Sequence, residues 1–348
     1  MKIDNFSCPL PVASLDTVQL GHGSGGRLTA ELIDDVFLAH LGNEILGRLE
    51  DQAVFSLPPG RLALTTDSYV VDPLFFPGGN IGELAVNGTV NDICMSGARP
   101  FHLSVSFIIE EGFPIADLKR IVASMGAAAK ASGVSVVTGD TKVVNKGSCD
   151  KLFINTTGIG VVPDNVAISA HNLHPGDKII LSGTIADHGM AIMTSREGLS
   201  FQSRVRSDTA ALNGLVEVML AVSPEIHAMR DPTRGGLAAT LNEFAKASGV
   251  GIVLDGGAIP VALEVRGACE ILGIDPLNVA NEGKLVAVVP PLVAPGVLAA
   301  MRRHPLGCEA AVIGEVSPDN PGLVACSTGL GAMRIVDMPV GEQLPRIC

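Results

Sequence analysis

The chain has 348 residues, of which 47% are apolar and 17% charged, so it reads as a folded protein long enough for two domains rather than a disordered polymer. Its net charge of −12 argues against a general binder of nucleic acid or anionic membrane, since phosphate would be repelled. The N-terminus MKIDNFSCPLPVASLD has no apolar signal core and no apolar run reaches transmembrane length, so the expected location is the cytoplasm, away from any membrane.

In chain order, the glycine-rich GHGSGG (21–26) precedes a helix-like stretch, RLTAELIDDVFLAHL. It matches GxGxxG literally, without a confident strand before it. It is either a tight turn or an anion-binding loop at a helix start, and the absence of GKS or GKT excludes a P-loop. Segments 61–71, 102–110, 134–144 and 152–162 are rich in β-branched residues and read as strands, with helices predicted over 81–96 and 116–131 between them. A turn-rich stretch, HNLHPGDK (171–178), follows a soft boundary near residue 165. Beyond it DKIILSGT, VGIVLDG and KLVAVVPP read as strands, and DTAALNGLVEVMLAV and RGGLAATLNEFAKASG as helices. The expected architecture is α/β with mixed sheets: a domain over 1–165, a second over 166–339, and a mobile tail, 340–348. With no Trp and 3% aromatics, the core must be aliphatic.

Aspartates recur beside turns and strand ends: Asp51, Asp67, Asp92, Asp140 and Asp231. Each alone reads as a cap or turn former, but together they suit a cation shared with phosphate. On a helix over 81–96, Glu83, Asn87 and Asn91 fall on one face with Asp92 alongside, in an otherwise apolar segment. Lys142 and Glu282 are charges in apolar surroundings, either structural ion pairs or proton carriers tuned by burial. His22 and His188 flank glycines and read as turn residues. Seven cysteines, odd in number and without a CxxC pair, read as reduced thiols. Cys348 closes the sequence beside its own carboxylate, which raises the thiol pKa, while Arg346 partly offsets that charge. It is either incidental or the reacting end of a swinging arm.

Taken together, GHGSGGR (21–27), TTDSYVVDPLFFPGG (65–79), VNGTVNDICMSGARP (86–100), VVTGDTKVV (136–144), RDPTRGGLAATLNE (230–243), NEGKLVAVV (281–289) and terminal PRIC (345–348) resemble the HypE family of hydrogenase maturation factors, in the PurM-like (aminoimidazole ribonucleotide synthetase-like) ATP-binding superfamily. The resemblance implies a homodimer of two-domain PurM-like chains, with ATP near the dimer interface. It implies Asp51, Asp92 and Asp231 as Mg²⁺ or phosphate ligands. It also implies a nucleotide pocket from Gly23, Gly25, Gly26, Asp67, Asn91, Thr138, Gly139, Asp140 and Thr141. Cys348 would accept a carbamoyl group from a HypF-like carbamoyltransferase, and Glu282 and Lys142 would assist its ATP-dependent dehydration to thiocyanate. The cyanide would pass to iron on a HypC–HypD-like complex. Gln52 departs from the usual DAAV pattern after Asp51. Other superfamily activities, of the selenophosphate synthetase or thiamine-phosphate kinase kind, need no terminal cysteine, and a non-catalytic carrier would show no ATP turnover.

Overall fold

The computed structural model describes residues 15–196, 205–328, 331–338, 341, 344 and 346–348. Cys8, and Glu342, Gln343 and Pro345 of the tail, lie outside the described residues.

The first unit opens with α1 (Arg27–Leu32), which runs through a π-helical segment (Ile33–Leu38) into α2 (Ala39–Leu41). There follow β1 (Arg61–Tyr69), the small hairpin β2 (Phe75–Phe76) and β3 (Gly79–Asn80), α3 (Ile81–Met95), β4 (Arg99–Glu110), α4 (Ile115–Ser132), β5 (Ser135–Val144) and β6 (Leu152–Val162). The four long strands form one sheet in the order β1-β6-β4-β5, antiparallel except for the β4–β5 pair. Strict alternation of buried and half-buried residues along β6 gives the sheet an inner face, which packs on α3. Both helices obey their local chemistry. The Asn80 carboxamide caps α3 by accepting from Gly82 N at 2.8 Å, and α4 ends where Gly133 takes the left-handed conformation, φ 71°.

The second unit contains β7 (Lys178–Leu181), α5 (Asp187–Arg196), α6 (Asn213–Val222), β8 (Ala228–Arg230), α7 (Gly236–Ser248), β9 (Gly251–Asp255), α8 (Leu263–Leu272), β10 (Val286–Val289), α9 (Ala294–Arg303), β11 (Ala311–Ser317), β12 (Val324–Ser327) and β13 (Met333–Ile335). Its sheet runs β13-β12-β9-β11-β7-β10-β8, with β9 and β12 parallel and the other pairs antiparallel. The fold is therefore α/β with mixed sheets in both halves. Among the described residues no helix is long and apolar enough to cross a membrane.

Helix α6 begins at Asn213 rather than at Asp208, where the sequence pattern started it. Residues 207–212 are instead drawn out along α3, because the polar stripe of that helix is spent on them. Asn87 Nδ2 donates to Thr209 Oγ1 at 3.2 Å. The Asn91 amide donates to Ala210 O (3.0 Å) and Glu282 O (3.2 Å), and its oxygen accepts from Leu212 N (2.8 Å). Asn91 is thus a clamp between the two units, with its side chain committed to backbone. Around it one apolar core runs continuously from Leu84 and Val90 to Met190, Leu212 and Leu215.

Replacing Asn91 with Ala strands buried backbone groups on both sides of this junction, at about 1–3 kcal/mol for each unsatisfied group. The expected result is a thermal midpoint lowered by about 2–4 °C for each kcal/mol lost, the scale for units of this size. An unchanged midpoint would show that the junction does not depend on this side chain.

Candidate active site

Two sequence motifs meet through Asn281, which is fully buried. Its oxygen accepts from Ala186 N at 2.8 Å, at the start of α5, and its amide donates to Pro232 O at 2.8 Å. The turn after β8 is thereby tied to the NEGK segment, so Asp231 and Glu282 enter the same cleft. Gly283 must be glycine: a Cβ there would lie 1.8 Å from Asp208 O. That close approach brings Asp208 against the segment, where its Oδ1 accepts from Glu282 N at 3.1 Å.

The cleft between the units collects acid. Asp92, on α3, accepts from Thr65 Oγ1 of β1 at 2.8 Å, and Asp67 lies two residues further along that strand. Burial, and then Asp92, push Asp231 up to about 7. Burial also raises Asp92, against the opposing hydrogen bond from Thr65. Glu282 is raised well above the usual carboxylate range, first by burial and then by Asp231, Asp208, Asp67 and Asp92. Glu282 Oε1 and Asp208 Oδ2 are buried without a hydrogen-bond partner. Lys284 Nζ approaches Asp208 Oδ2 only to 3.9 Å. Unpartnered buried carboxylate oxygens of this kind are the hard donors that a Mg²⁺–phosphate group satisfies.

The described tail residues dock into this cleft. Val70 N donates to Cys348 O (3.0 Å), Asp72 N to Arg346 O (3.3 Å) and Arg346 Nε to Val70 O (3.1 Å), so the tail lies along the continuation of β1. Arg346 also pairs with Asp150 at 2.6 Å, and Leu344 and Ile347 are buried. The Cys348 thiol is pushed up to about 12, by burial first and by Glu282 second, with Arg234 opposing. Cys348 and Glu282 therefore sit within each other's field.

The other expected residues gather elsewhere. Thr138, Gly139, Asp140 and Thr141 of β5 line a cavity of about 360 Å³, closed on its other side by Thr29, Ile33, Phe37 and Leu41. The glycine loop lies at the same strand, where a Cβ on Gly23 would meet Val143 N at 2.8 Å. Gly25 is left-handed, φ 80°, and donates to Thr29 Oγ1 at 3.0 Å, and Gly26 is the N-cap of α1. Lys142 is exposed and bound to Asp140 at 2.7 Å, and this contact lowers the Asp140 pKa. Asp51 is exposed between Glu50 and Gln52, which line the cavity. Among the described residues, Asp51, Asp92 and Asp231 do not converge into one cluster of ligand atoms. β1 and β5 are opposite edges of a four-stranded sheet, about 14 Å apart at ~4.8 Å per strand. One chain therefore holds a carboxylate–cysteine half at one edge and a cavity–lysine half at the other.

Sequence reasoning missed Asp208, Arg234 and His188. His188 is fully buried on α5, where Nδ1 pairs with Ser207 Oγ and Nε2 with Ile347 O, both at 2.8 Å. Burial lowers its pKa, so a neutral ring holds the tail. None of the three lies in a pattern that marks its role, since each is defined by what folds against it.

The N-terminal domain of the AIR synthase related protein family matches residues 49–162, and the C-terminal domain of that family matches 174–325. The chain is 56% identical over 344 residues to carbamoyl dehydratase HypE of Cupriavidus necator, covering 99% of this chain and 98% of that one. The crystal structure of a hydrogenase maturation protein HypE in complex with ATP superposes with a TM-score of 0.92 at 52% identity, covering 95% of this chain and 100% of that chain. A HypE from a HypE–HypF complex superposes at 0.78 with 51% identity, covering 88% and 99%. The chain belongs to the HypE family of carbamoyl dehydratases, the hydrogenase maturation branch of the PurM-like superfamily.

Proposed function

We propose that this chain works in the cytoplasm, using ATP to dehydrate a carbamoyl group carried on Cys348 to a thiocyanate, the source of a cyanide ligand for the iron of NiFe-hydrogenase. The observation that carries the reading is the docked tail, held by Val70 N to Cys348 O at 3.0 Å and His188 Nε2 to Ile347 O at 2.8 Å, which leaves Cys348 within the field of the buried Glu282. A HypF-like carbamoyltransferase supplies the carbamoyl group and a HypC–HypD-like complex accepts the product.

The bond changes balance. The carbamoyl oxygen takes the γ-phosphoryl of ATP and leaves as inorganic phosphate, the nitrogen loses two protons, and the sulfur keeps a C≡N group. Glu282 has the raised pKa of an effective proton acceptor, and Asp208 holds its backbone in place. Asp92 and Asp231 would hold Mg²⁺, which would neutralise phosphate charge, and Asp51, beside the cavity at the other edge, would join them only where the two half-sites meet. Asp67, Gly23, Gly25, Gly26 and Thr138 to Thr141 would receive the nucleotide. Asn91 acts through the clamp rather than through the nucleotide.

A homodimer supplies what one chain separates. On the sheet face away from α3, Leu62 is 58% exposed and Leu64, in the row of Ile159 and His102, is 72% exposed, while Ile108, registered opposite Lys142, is exposed six residues further along β4. Exposed leucines at one end of this face, followed by hydroxyl and amide rows through Thr66, Thr157, Ser68 and Asn155, make a mixed surface that a second copy could cover. A second copy laid on it would bring its β5 edge, with Lys142 and the nucleotide cavity, toward this chain's Cys348. In solution the wild type should have the mass of two chains by light scattering, and Leu64→Asp should have the mass of one. A dimer undisturbed by Leu64→Asp would exclude this face.

Glu282→Gln, loaded on Cys348 by the carbamoyl donor system, should bind ATP and keep its carbamoyl group, whereas the wild type loses the mass of one water from the C-terminal peptide. Wild-type yield from this variant would remove Glu282 from the chemistry.

A thiol raised to about 12 is protonated at neutral pH and reacts slowly. Cys348 should therefore alkylate at least about 10-fold more slowly than exposed Cys308 at neutral pH, with its rate climbing as pH rises. His188→Asn, which loosens the tail, should speed it. Equal rates at the two cysteines would contradict the docked position.

A further inference from the structure

Outside the cleft, the second unit brings three ligand-type side chains to one point. His174 lies in the turn before β7, Asp177 immediately precedes β7, and His227 immediately precedes β8. Their ligand atoms all lie within 4.8 Å of one another. Asp177 Oδ2 is 2.7 Å from His227 Nδ1 and accepts from His174 N at 2.8 Å. The two Nδ1 atoms are 3.5 Å apart, with the rings edge to face at 4.8 Å. Asp231 stands at the other end of β8, four residues from His227, or about 13 Å of extended chain. The cluster is therefore separate from the carboxylate cleft.

The backbone fixes all three residues. Asp177 N donates to His174 O (3.1 Å), Val316 N of β11 to Asp177 O (2.9 Å), and His227 N to Val288 O of β10 (2.9 Å). Hydrogen bonding alone uses these groups poorly. The 2.7 Å contact takes the one proton that His227 Nδ1 can offer Asp177, so that nitrogen has no second hydrogen for His174 Nδ1. A cation in place of that proton would serve all three lone pairs. Two imidazole nitrogens bound at ~2.0–2.1 Å to a tetrahedral ion lie about 3.3 Å apart, close to the spacing already present. Asp177 is buried, while His174 is exposed, so one side of the site faces solvent.

We propose that His174, Asp177 and His227 form a binding site for a borderline divalent transition metal such as Zn²⁺, with solvent completing the coordination. Two nitrogens and one carboxylate favour such an ion over Mg²⁺, which prefers an all-oxygen shell. The ion would pin the 171–178 turn to the start of β8, and so act on the stability of the second unit rather than on catalysis.

The test uses the full-length chain carrying Cys348→Ala, which removes the tail thiol as a competing ligand. Titration calorimetry with Zn²⁺, and with Mg²⁺ as the control, should give one Zn²⁺ site that Mg²⁺ does not fill. Co²⁺ bound there should show visible d–d bands without a thiolate charge-transfer band. His174→Ala should weaken Zn²⁺ binding by at least about 10-fold, and the variant should keep the metal-free thermal midpoint, because His174 is exposed. His227→Gln should weaken it equally. If no Zn²⁺ binds, if Zn²⁺ binding is unchanged in His174→Ala, or if the Co²⁺ spectrum is that of a thiolate, the cluster is a hydrogen-bonded turn and the proposal is wrong.

Discussion

Asp92, Asp231 and Glu282 are carboxyl groups whose proton affinity is raised first by burial and then by neighbouring carboxylates, Asp67 acting on all three. Such a cluster is costly unless protons or a cation enter it. The fold around it prevents the easy escape, which would be to swing the side chains into solvent. Asn281 ties the turn carrying Asp231 to the segment carrying Glu282, and Gly283 lets Asp208 approach too closely for any side chain there. Asn91 then fixes this assembly to α3, from which Asp92 projects. The residues that carry charge and the residues that carry stability are thus different, and the second set exists to hold the first where it is least comfortable.

Much of this was legible in the sequence. The β-branched runs at 61–71, 102–110, 134–144 and 152–162 mark the strands found at 61–69, 99–110, 135–144 and 152–162, and Ser132-Gly133 ends α4 as its chemistry requires. Asp231 stands out only as an aspartate beside a turn, whereas Asp92 and Glu282 stand out as polar groups in apolar surroundings, which is the signal burial leaves behind. The polar stripe of α3 was legible as a face but not as to its partner. Asn87 and Asn91 meet the backbone of residues 209–212, more than a hundred positions away, and periodicity carries no such information. The same blindness hid His188, Asp208 and Arg234. Their roles come from long-range contacts, and a histidine between Asp187 and Gly189 looks like any other.

Sheet order decides how the site is divided. Strand assignments placed Asp67 and Asp140 on similar segments with similar flanks, so they read as parts of one pocket. The order β1-β6-β4-β5 sends them to opposite edges. Lys142 shares the outward face with Asp140, two residues earlier on the same strand, and their ion pair occupies both charges in the single chain. A chain that kept all its catalytic groups at one edge would need no partner. This one leaves an outward sheet face, with Leu62 and Leu64 exposed at its β1 edge, open between its two half-sites, and covering that face and completing the site are one event in the proposed dimer.

The docked tail carries a contradiction that the chemistry must resolve by movement. The contacts that bring Cys348 to Glu282 also bury its sulfur and hold it as a thiol, the form least able to accept a group from a donor. The cleft is therefore suited to a sulfur already acylated, which has no proton to lose and no charge to desolvate. In the proposed reaction, loading takes place with the tail outside, where the thiol regains its ordinary acidity. The anchors are consistent with exchange between the two positions. Ile347 and Leu344 are buried, His188 supplies one hydrogen bond from a neutral ring, Val70 N, Asp72 N and Arg346 Nε supply three more along the continuation of β1, and Arg346 pairs with the exposed Asp150. An exposed ion pair contributes on the order of 0–1 kcal/mol, so these holds can be broken and remade. The carbamoylated sulfur loses the penalty that its free form meets beside Glu282, and the docked state is accordingly favoured after loading rather than before. Order in the reaction sequence then follows from electrostatics in the cleft, without a separate gate.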